Sequence, residues 1–452
     1  MTGQTTGRLS TTQGTALLVG AVLGPGMLVL PHLAADAAGP ASVLAWAGLL
    51  VLSVPVATTF ATLGARYPDG GGVASFVALA FGRRASAVVG WWFYGTVPIG
   101  TLAGALVGGE YVAAALGAQA VGAVPGSLGT QAGSAVSGSL GAQAGGGASA
   151  VPAAQAGALV VAVVLLAAAF AANAAGLRTS GRLQLGLVLL LVAVLVVAVV
   201  SAAPHAEAAG FVPFAPYGAV GVANAAGVLL FAFVGWEAAS HLSAEFADSR
   251  SLTRATVVTL AVITVLYLGV AVTSIGVGAA GTPVPLAAML ETGLGGVARP
   301  VTGGVAVLLT FGAINTYIAG ASRLGAALAR DGALPAWFAK GAAPSETPFR
   351  SLGLLAVVTG VVTALTLLWA VDLDTLMRAT SACLAAVTAA GTAAAIRVLE
   401  GRARAVATAA TVLSVVALVC CGPYLLVPVV LGAVALGSYR VSLRRASWRP
   451  SP

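Results

Sequence analysis

The first apolar segment of the chain contains Gly20-Ala-Val-Leu-Gly24-Pro25-Gly26-Met27, a stretch that an α-helix does not readily accommodate in its middle. Pro25 has no N–H to donate, and its ring crowds the preceding turn. Because lipid cannot satisfy freed backbone groups, a helix is broken at membrane depth only where protein or a wet cavity lies alongside. The stretch therefore predicts a broken helix beside a cavity, with a simple proline kink as the alternative.

The composition of the whole chain indicates that this stretch lies in a membrane. Of the 452 residues, 59% are hydrophobic and 8% are charged, whereas a soluble domain carries about 25% charged residues. The mean hydropathy is +1.01. These values exclude soluble enzymes and nucleic-acid-binding proteins, and they predict an integral membrane protein in a lipid bilayer. Cys383, Cys420 and Cys421 fall inside apolar runs, and we interpret them as small reduced core residues.

Twelve apolar runs are long enough to cross about 30 Å of hydrocarbon, which takes about 20 helical residues. The turn at Gly422-Pro423 is the weakest boundary, because merging the two runs around it would give eleven spans. The predicted spans are approximately 12–33, 41–65, 86–116, 154–175, 183–203, 219–243, 255–280, 300–328, 351–371, 375–396, 405–421 and 423–440.

The positions of the basic residues test this number of spans. With the N-terminus inside, 19 of the 21 Lys and Arg residues fall in inside segments, and only Arg299 and Arg378 fall outside. This asymmetry is what the positive-inside rule requires. It predicts a multi-pass protein of the plasma or inner membrane with both termini in the cytoplasm. Topology also accounts for the net charge of +8 without a nucleic-acid partner.

A second unusual stretch lies in the sixth span and reads Phe231-Ala-Phe233-Val-Gly235-Trp236-Glu237-Ala-Ala-Ser-His241. A charge such as Glu237 at the bilayer centre costs about 2.5–3.5 kcal/mol, so it usually faces an interior or a cavity. Interrupted spans at matching positions of two halves point to a transporter site. The first and sixth spans occupy matching positions if two five-helix repeats are inverted about the membrane plane. On that basis we predict an all-α membrane protein with broken first and sixth helices, ten helices in a five-plus-five inverted repeat, and two peripheral helices.

This prediction also assigns the loops. Residues 117–153 form an external loop with two similar segments, Gly126-Ser-Leu-Gly-Thr-Gln-Ala-Gly133 and Gly138-Ser-Leu-Gly-Ala-Gln-Ala-Gly145. The loop lacks large side chains with which to build a core, so we interpret it as a flexible linker. The predicted parts are a cytoplasmic N-terminus (1–11), the first repeat (12–203), the second repeat (204–398), helices 11 and 12 (399–440) and a basic cytoplasmic tail (441–452).

These stretches resemble the amino acid–polyamine–organocation (APC) superfamily of transporters. Gly24-Pro25-Gly26 is similar to the Gly-x-Gly break in that family's first helix, and Phe233-Val-Gly235-Trp236-Glu237 is similar to its Phe-x-Gly-x-Glu pattern in the sixth. Within the superfamily, further stretches resemble the bacterial exporters of methionine and branched-chain amino acids. They are Arg66-Tyr-Pro-Asp-Gly-Gly-Gly-Val-Ala-Ser-Phe76, Gly90-Trp-Trp-Phe-Tyr-Gly-Thr-Val-Pro98, Glu237-Ala-Ala-Ser-His241-Leu-Ser-Ala-Glu245-Phe246 and Asn315-Thr-Tyr317.

The resemblance implies a substrate site between the two breaks. Backbone N–H groups at the first break would bind a carboxylate, aided by the dipole of the following half-helix. Carbonyls at the sixth break would accept hydrogen bonds from the substrate ammonium, and aromatic side chains there would contact an apolar side chain. Pro25 departs from the family pattern and removes one donor. The residues predicted to bind substrate are Gly24, Gly26, Met27, Phe231, Phe233, Val234, Gly235, Trp236, Asn315 and Tyr317.

Glu237 is the leading candidate for a functional side chain. Burial disfavours the charged carboxylate, so Glu237 could exchange a proton, with a structural hydrogen bond between helices as the alternative. His241 lies one helical turn later and Glu245 another turn on, which places the three residues on one face. We predict that Glu237 and His241 couple transport to protons, although His241 could instead be a packing residue and Glu245 a solvated one.

Other polar residues are weaker candidates. Tyr94 and Thr96 in the third span could face the pocket, and Glu110 could approach the outer mouth or pair structurally. In several relatives sodium binds between the first and eighth spans, and in some a lysine in the fifth span replaces it. The fifth span here has no internal charge, and Arg182 lies at its inner edge, so no lysine cation can be assigned.

The predicted function is secondary transport, import or export, of small neutral amino acids of the methionine or branched-chain type by alternating access. Proton coupling is favoured, with a sodium-coupled or exchange-type permease for another amino acid or amine as the alternative. Two remote alternatives are a sensor and a membrane-embedded enzyme. The enzyme would need clustered acids and histidines, which this sequence lacks. The sequence contains neither the nucleotide-binding motif Gly-x-x-x-x-Gly-Lys-Ser/Thr nor a metal-ligand spacing. We therefore predict that transport is not driven by ATP within this chain and that no cofactor or metal is bound.

Overall fold

The structure is a computed structural model that describes residues 10–67, 72–117, 153–176, 181–233, 235–236, 246, 248–340 and 347–447. The described residues form fifteen α-helices, joined by turns and short 3₁₀ segments. The helices are α1 (Thr11–Val22), α2 (Leu30–Ala38), α3 (Ser42–Arg66), α4 (Gly72–Phe81), α5 (Arg83–Ala115), α6 (Ala153–Ala174), α7 (Gly181–Ala202), α8 (Gly218–Leu229), α9 (Ser249–Gly276), α10 (Pro285–Leu294), α11 (Ala298–Arg330), α12 (Phe349–Leu368), α13 (Leu373–Val398), α14 (Gly401–Val419) and α15 (Leu426–Ser447).

The described helices agree with the predicted all-α membrane fold. Ten helical segments are long and apolar enough to cross a membrane. Neither the first nor the sixth predicted span is found among these ten as one continuous helix, and in the described residues each is interrupted. The first consists of α1 and α2 with a 3₁₀ turn between them, and the sixth begins as α8 and continues as a 3₁₀ turn at Leu230–Phe233.

The turn between the last two spans was the weakest boundary in the sequence. A 3₁₀ segment, Gly422–Leu425, separates α14 from α15, and Gly422 has a positive φ of 55°. The two helices are therefore separate candidate spans, which supports twelve segments rather than eleven. The Gly/Ala-rich part of the predicted external loop, residues 118–152, lies outside the described residues.

Two short helices and one early helix start were not predicted. Helix α4 precedes α5, and α10 precedes α11. Helix α9 begins at Ser249 rather than near residue 255, because the Asp248 carboxylate accepts a hydrogen bond from the Ser251 N–H at 2.6 Å and caps the helix. This hydrogen bond lowers the pKa of Asp248.

Helices α5 and α11, each 33 residues long, pack against one another at the centre of the bundle. Small residues allow this close approach: a Cβ on Gly303 would lie 3.2 Å from the Tyr111 carbonyl oxygen, and one on Gly108 would lie 3.3 Å from Thr310. These two helices, which have equal length, are the third and eighth predicted spans and lie five spans apart. The two broken spans, the first and the sixth, also lie five spans apart.

The two basic residues that the sequence places outside are both paired with acids. Arg299 Nε lies 2.7 Å from Glu291 Oε2, and Arg378 Nε lies 2.6 Å from Asp374 Oδ2. These are the two salt bridges of the described part of the chain. Arg378 also donates to the Asn224 carbonyl at 2.8 Å, which ties α13 to α8.

Candidate functional site

The break in the first span is a full interruption of the α-helix. Helix α1 ends at Val22, Pro25–Leu28 form a 3₁₀ turn, and the α-helix resumes at Leu30. The chain therefore does not continue helically through Pro25, as a simple kink would. The Gly24 N–H donates to the Val22 carbonyl at 3.0 Å.

Gly26 holds the freed donor of this turn. The Met27 N–H donates to the Gly24 carbonyl at 3.3 Å, whereas the Gly26 N–H has no hydrogen-bond partner among the described residues. Gly26 is itself buried. A buried backbone N–H without a partner is rare in folded proteins. This N–H is therefore a candidate donor to a ligand.

The break in the sixth span is built differently. Helix α8 ends at Leu229, a 3₁₀ turn follows, and Gly235 then adopts a positive φ of 121°. Trp236 is 1% exposed, and its Nε1 donates to Ser53 Oγ of α3 at 3.1 Å. The sixth break is thus anchored to the second span by a side chain as well as by packing.

The two breaks contact one another directly. A Cβ on Gly26 would lie 2.7 Å from the Phe231 ring, and a Cβ on Gly235 would overlap the Ala21 carbonyl oxygen and lie 3.0 Å from Val22 Cα. The contacts are so close that only hydrogen atoms fit at these glycines. The structure therefore brings together the two stretches that the sequence predicts to form one site.

Buried aromatic residues surround this contact. Tyr267 of α9 is 0% exposed, and its hydroxyl lies 3.2 Å from the Val22 carbonyl oxygen and 2.9 Å from that of Ala232. Its ring meets Trp46 and Phe233 edge-on, at centroid distances of 5.2 and 5.3 Å. Val22 belongs to the first broken span and Ala232 to the sixth, so one hydroxyl reaches both.

A cavity of about 970 Å³ lies beside the first break. Gly24 and Pro25 form one end of it, and α4, α5, α7 and α11 line its walls with mostly apolar side chains. Arg83, at the start of α5, and Asp331, just after α11, also line it. The cavity therefore extends from the first break to one end of the helix bundle. This end, where α5 begins and α11 ends, is called the basic end below.

The opposite side of the break is packed. The Tyr111 hydroxyl donates to the Leu28 carbonyl at 2.6 Å and lies 3.3 Å from the Leu286 N–H of α10. Leu28 and Tyr111 are 0% and 1% exposed. The site is thus connected to the basic end by the cavity, whereas the 3₁₀ turn of the first break, α5 and α10 are joined by hydrogen bonds on the far side.

The predicted substrate-binding residues do not all face this cavity. Gly24 and Tyr317 line it. Gly26 and Met27 are buried at the break, and Phe231 packs on Gly26. The first break could therefore offer the backbone groups of Gly26 and Met27, rather than side chains, to a substrate.

The aromatic residues of the sixth break lie away from the large cavity. Phe233 and Trp236 border a separate space of about 20 Å³ among α3, α13 and α14. They therefore do not form a wall of the large cavity in this structure. Val234, Glu237, His241 and Glu245 lie outside the described residues.

Asn315 is engaged with another helix. Asn173 of α6 donates from Nδ2 to Asn315 Oδ1 at 2.8 Å and lies 3.2 Å from the Asn315 carbonyl oxygen. Both residues are buried. This amide pair fixes α11 against α6, one residue before Thr316 and two before Tyr317, which both line the cavity.

The weaker candidates in the third span are also placed. The Tyr94 hydroxyl donates to the Ser351 carbonyl of α12 at 3.3 Å and is not part of the cavity lining. Thr96 is 5% exposed. Glu110 has one carboxylate oxygen, Oε2, that is buried without a hydrogen-bond partner among the described residues.

Sequence reasoning missed Ser53, Asn173 and Tyr267, which hold the site from outside the breaks. The signal that could have identified two of them is an isolated polar residue within an apolar span. Asn173 is a lone amide near the end of the fourth span, and Tyr267 is a lone tyrosine in the middle of the seventh. A polar group in such a setting needs a partner, but the sequence does not say which helix provides it.

The family model described as amino acid permease matches residues 9–438 of this chain. The chain is 32% identical over 394 residues to the "Uncharacterized amino acid permease YecA" of Bacillus subtilis (strain 168), covering 86% of this chain and 85% of the relative. It is 30% identical over 326 residues to the "L-methionine/branched-chain amino acid exporter YjeH" of Escherichia coli (strain K12), covering 70% and 68%. The "Branched-chain amino acid permease BcaP" of Bacillus subtilis (strain 168) is 26% identical over 348 residues, covering 74% and 70%.

Proposed function

Since this chain belongs to the amino acid permease family, a family of transporters rather than enzymes, we propose that it carries small neutral amino acids with apolar side chains across the membrane. The substrates are of the methionine or branched-chain type, and transport is secondary active transport by alternating access. The observation that carries the proposal is the direct contact of two broken helices beside a cavity that leads to one end of the bundle. Broken helices at matching positions are a mark of midplane binding sites in transporters.

The charge distribution around the cavity supports a neutral substrate. Among the described lining residues, the charged side chains are Arg83 and Asp331, and both lie at the basic end. Near the break the walls are apolar, with Leu187, Val188 and Leu309 among them. A substrate with a charged side chain would have to leave that charge unpaired there, which costs free energy.

The zwitterionic backbone of an amino acid suits the polar groups at the two breaks. The unpartnered Gly26 N–H would donate to the carboxylate, and the dipole of the turn and of α2 favours a negative charge at that point. Carbonyls near Phe231 to Val234 would accept from the ammonium. The large volume of the cavity leaves room for water and for entry of the substrate from the basic end.

Relatives support the substrate class and leave two directions of transport to test. One is named as an exporter of L-methionine and branched-chain amino acids and another as a branched-chain amino acid permease. Export by this chain is the direction that we propose. Direction follows from the ion and substrate gradients, because the same alternating-access cycle runs either way.

We propose protons as the coupling ion, with Glu237 as the carrier and His241 beside it. The described part of the site supports protons over sodium. A Cβ on Gly20 of α1 would lie 2.5 Å from Val188, and one on Gly312 of α11 would overlap Leu187. Apolar side chains of α7 therefore lie against both the first and the eighth spans, where sodium would need oxygen ligands.

The positive-inside asymmetry supports a plasma or inner membrane location with both termini in the cytoplasm. In that orientation the basic end would face the cytoplasm, and the cavity at that end supports an inward-facing state. The inverted five-plus-five repeat, with residues 12–203 and 204–398 as its halves, is part of the same proposal. Alternating access would then open the packed side at Tyr111 and close the cavity.

Counterflow in proteoliposomes tests the proposal. Vesicles are loaded with unlabelled methionine, leucine, lysine, glutamate or putrescine, and uptake of labelled methionine is measured with and without pH or sodium gradients. We expect exchange with methionine and leucine only, and accumulation driven by a pH gradient. Exchange with lysine, glutamate or putrescine instead would contradict the substrate class, and dependence on a sodium gradient would contradict proton coupling.

A further inference from the structure

The hydroxyl of Tyr267 is shared between the two broken helices. Its oxygen lies 3.2 Å from the carbonyl oxygen of Val22, the last residue of α1, and 2.9 Å from that of Ala232 in the 3₁₀ turn after α8. Both carbonyls belong to the group of C=O groups that a helix leaves unsatisfied at its C-terminal end. One buried side chain therefore serves the ends of both half-helices.

The position of this hydroxyl is fixed by its ring. Tyr267 is 0% exposed, and edge-on contacts with Trp46 and Phe233 hold the ring from two sides. Trp46 belongs to α3 and Phe233 to the sixth break, and their own rings lie 5.9 Å apart. The hydroxyl thus acts as a fixed point against which both breaks are located, and neither break can shift without changing its distance to Tyr267 Oη.

The Tyr267 hydroxyl has to serve two carbonyl oxygens with a single hydrogen. A tyrosine hydroxyl has one hydrogen to donate, so it donates fully to one carbonyl or divides the bond between two. The Val22 carbonyl also accepts the Gly24 N–H at 3.0 Å. The turn that exposes the Gly26 N–H begins at that hydrogen bond, so the hydroxyl acts on the same backbone that is proposed to hold the carboxylate.

We propose that Tyr267 is a positioning residue that keeps the two breaks in register, so that donors from the first and acceptors from the sixth are held at the spacing of one amino acid backbone. This inference rests on the proposed substrate site between the breaks. Tyr267 itself touches no substrate. Its loss would leave each half-site intact and misplace one relative to the other.

The test is Tyr267→Phe, which keeps the ring and removes only the hydroxyl. We expect the purified variant to fold, to keep its ring contacts and to bind methionine at least about fivefold more weakly, because a bond to two buried carbonyls is lost. Tyr424→Phe is the matched control: its hydroxyl lies 3.4 Å from Thr375 Oγ1, away from both breaks. The control should keep the wild-type Kd.

Hydrogen exchange gives a second readout that does not need a substrate. In Tyr267→Phe, amides in peptides covering residues 18–30 and 226–236 should both exchange faster, and in Tyr424→Phe neither should change. Faster exchange in only one of the two segments, or in neither, would overturn the inference. So would a wild-type Kd in Tyr267→Phe with only a lowered Tm, the result of a purely structural hydroxyl.

The two measurements also separate this inference from the proposed function. If the wild-type protein binds none of the amino acids tested, the proposed function fails, and the exchange rates still decide whether Tyr267 couples the breaks. If the wild type binds methionine and Tyr267→Phe binds it equally well, the inference fails and the proposed function stands.

Discussion

The two broken spans look alike in sequence and differ in their surroundings. The first break, from Val22 to Leu30, forms one end of the cavity, and a Cβ on Gly24 would meet no atom within 4 Å. The sixth break is packed: a Cβ on Gly235 would lie 2.8 Å from the Ala21 carbonyl carbon. One break thus offers backbone to a cavity, and the other is fixed against its neighbour.

The ionisable residues are distributed just as unevenly. Residues 20–30 contain none, whereas residues 231–245 contain Glu237, His241 and Glu245. We propose a division of labour on this basis, in which the first break binds the substrate carboxylate and the sixth, besides accepting from the ammonium, carries the coupling proton. Each of the following substitutions tests one side of this comparison.

Gly235→Ala should have the largest effect. Alanine would have to adopt a φ of 121° and place its methyl group into the Ala21 carbonyl, which together cost on the order of 2–6 kcal/mol. We expect a large loss of folded protein, measured by size-exclusion chromatography and thermal melting. Gly278→Ala is the matched control, because Gly278 has a φ of 71° but open space around it. Equal losses of folded protein in both variants would mean that backbone strain alone causes the loss. The contact between the two breaks would then not contribute to the stability of the fold.

Glu237→Gln should abolish pH-gradient-driven accumulation while substrate-for-substrate exchange continues. Glutamine keeps the shape and a hydrogen-bonding amide but cannot carry a proton near neutral pH. The measurement is uptake into proteoliposomes with and without a pH gradient, and Glu207→Gln, at an exposed position, is the control. Retained proton-driven uptake in Glu237→Gln would move the proton site to His241 or Glu110. Weakened binding at every pH would instead indicate a direct contact with the substrate ammonium.

Gly26→Val should weaken substrate binding by about fivefold or more. The added side chain would meet the Phe231 ring, where even a Cβ would lie at 2.7 Å, and crowd the unpartnered N–H. Overpacking of this kind costs about 1–3 kcal/mol, which corresponds to about 5- to 150-fold in affinity. Isothermal titration of purified protein checks the Kd, and Gly48→Val, at an exposed position with open space around it, is the control. An unchanged Kd in Gly26→Val would remove this segment from the binding site.

Gly24→Ala should have the smallest effect. Gly24 has an extended backbone with φ −90° and ψ 172°, which alanine adopts readily, and its Cβ would point into open space. We expect a change below about 0.5 kcal/mol in the free energy of unfolding and about twofold or less in Kd. Thermal melting and titration measure both. A loss of binding as large as that of Gly26→Val would show that the substrate approaches the Gly24 backbone directly.

Much of the fold could be predicted from sequence because it follows from local patterns. Apolar runs of about 20 residues and the distribution of arginines predict the spans, and Pro25 with its flanking glycines predicts the first break. Helix ends were less certain, as α9 shows: its start depends on one hydrogen bond between Asp248 and Ser251. The short helices α4 and α10 carried no signal of length or charge that would separate them from loops.

The candidate site was predictable only as two segments. The sequence identified Gly24, Gly26 and Gly235 as points of interruption, and the structure places Gly26 and Gly235, but not Gly24, where the two breaks contact one another. It did not indicate that Asn315 is engaged by Asn173. It also did not indicate that Phe233 and Trp236 lie away from the large cavity.

The sequence by itself therefore determined that this chain is a helical membrane protein, approximately where its membrane-spanning segments run and where two of them are interrupted. These properties depend on hydrophobicity, charge and backbone chemistry within one segment. The tertiary structure alone decided which of the two breaks lines the cavity and which groups hold the breaks together. The reason is distance along the chain: Trp236 and Ser53 are 183 residues apart, and Tyr267 and Val22 are 245 residues apart. A buried hydroxyl or indole N–H must find a partner in lipid surroundings, and helix packing across such separations selects it.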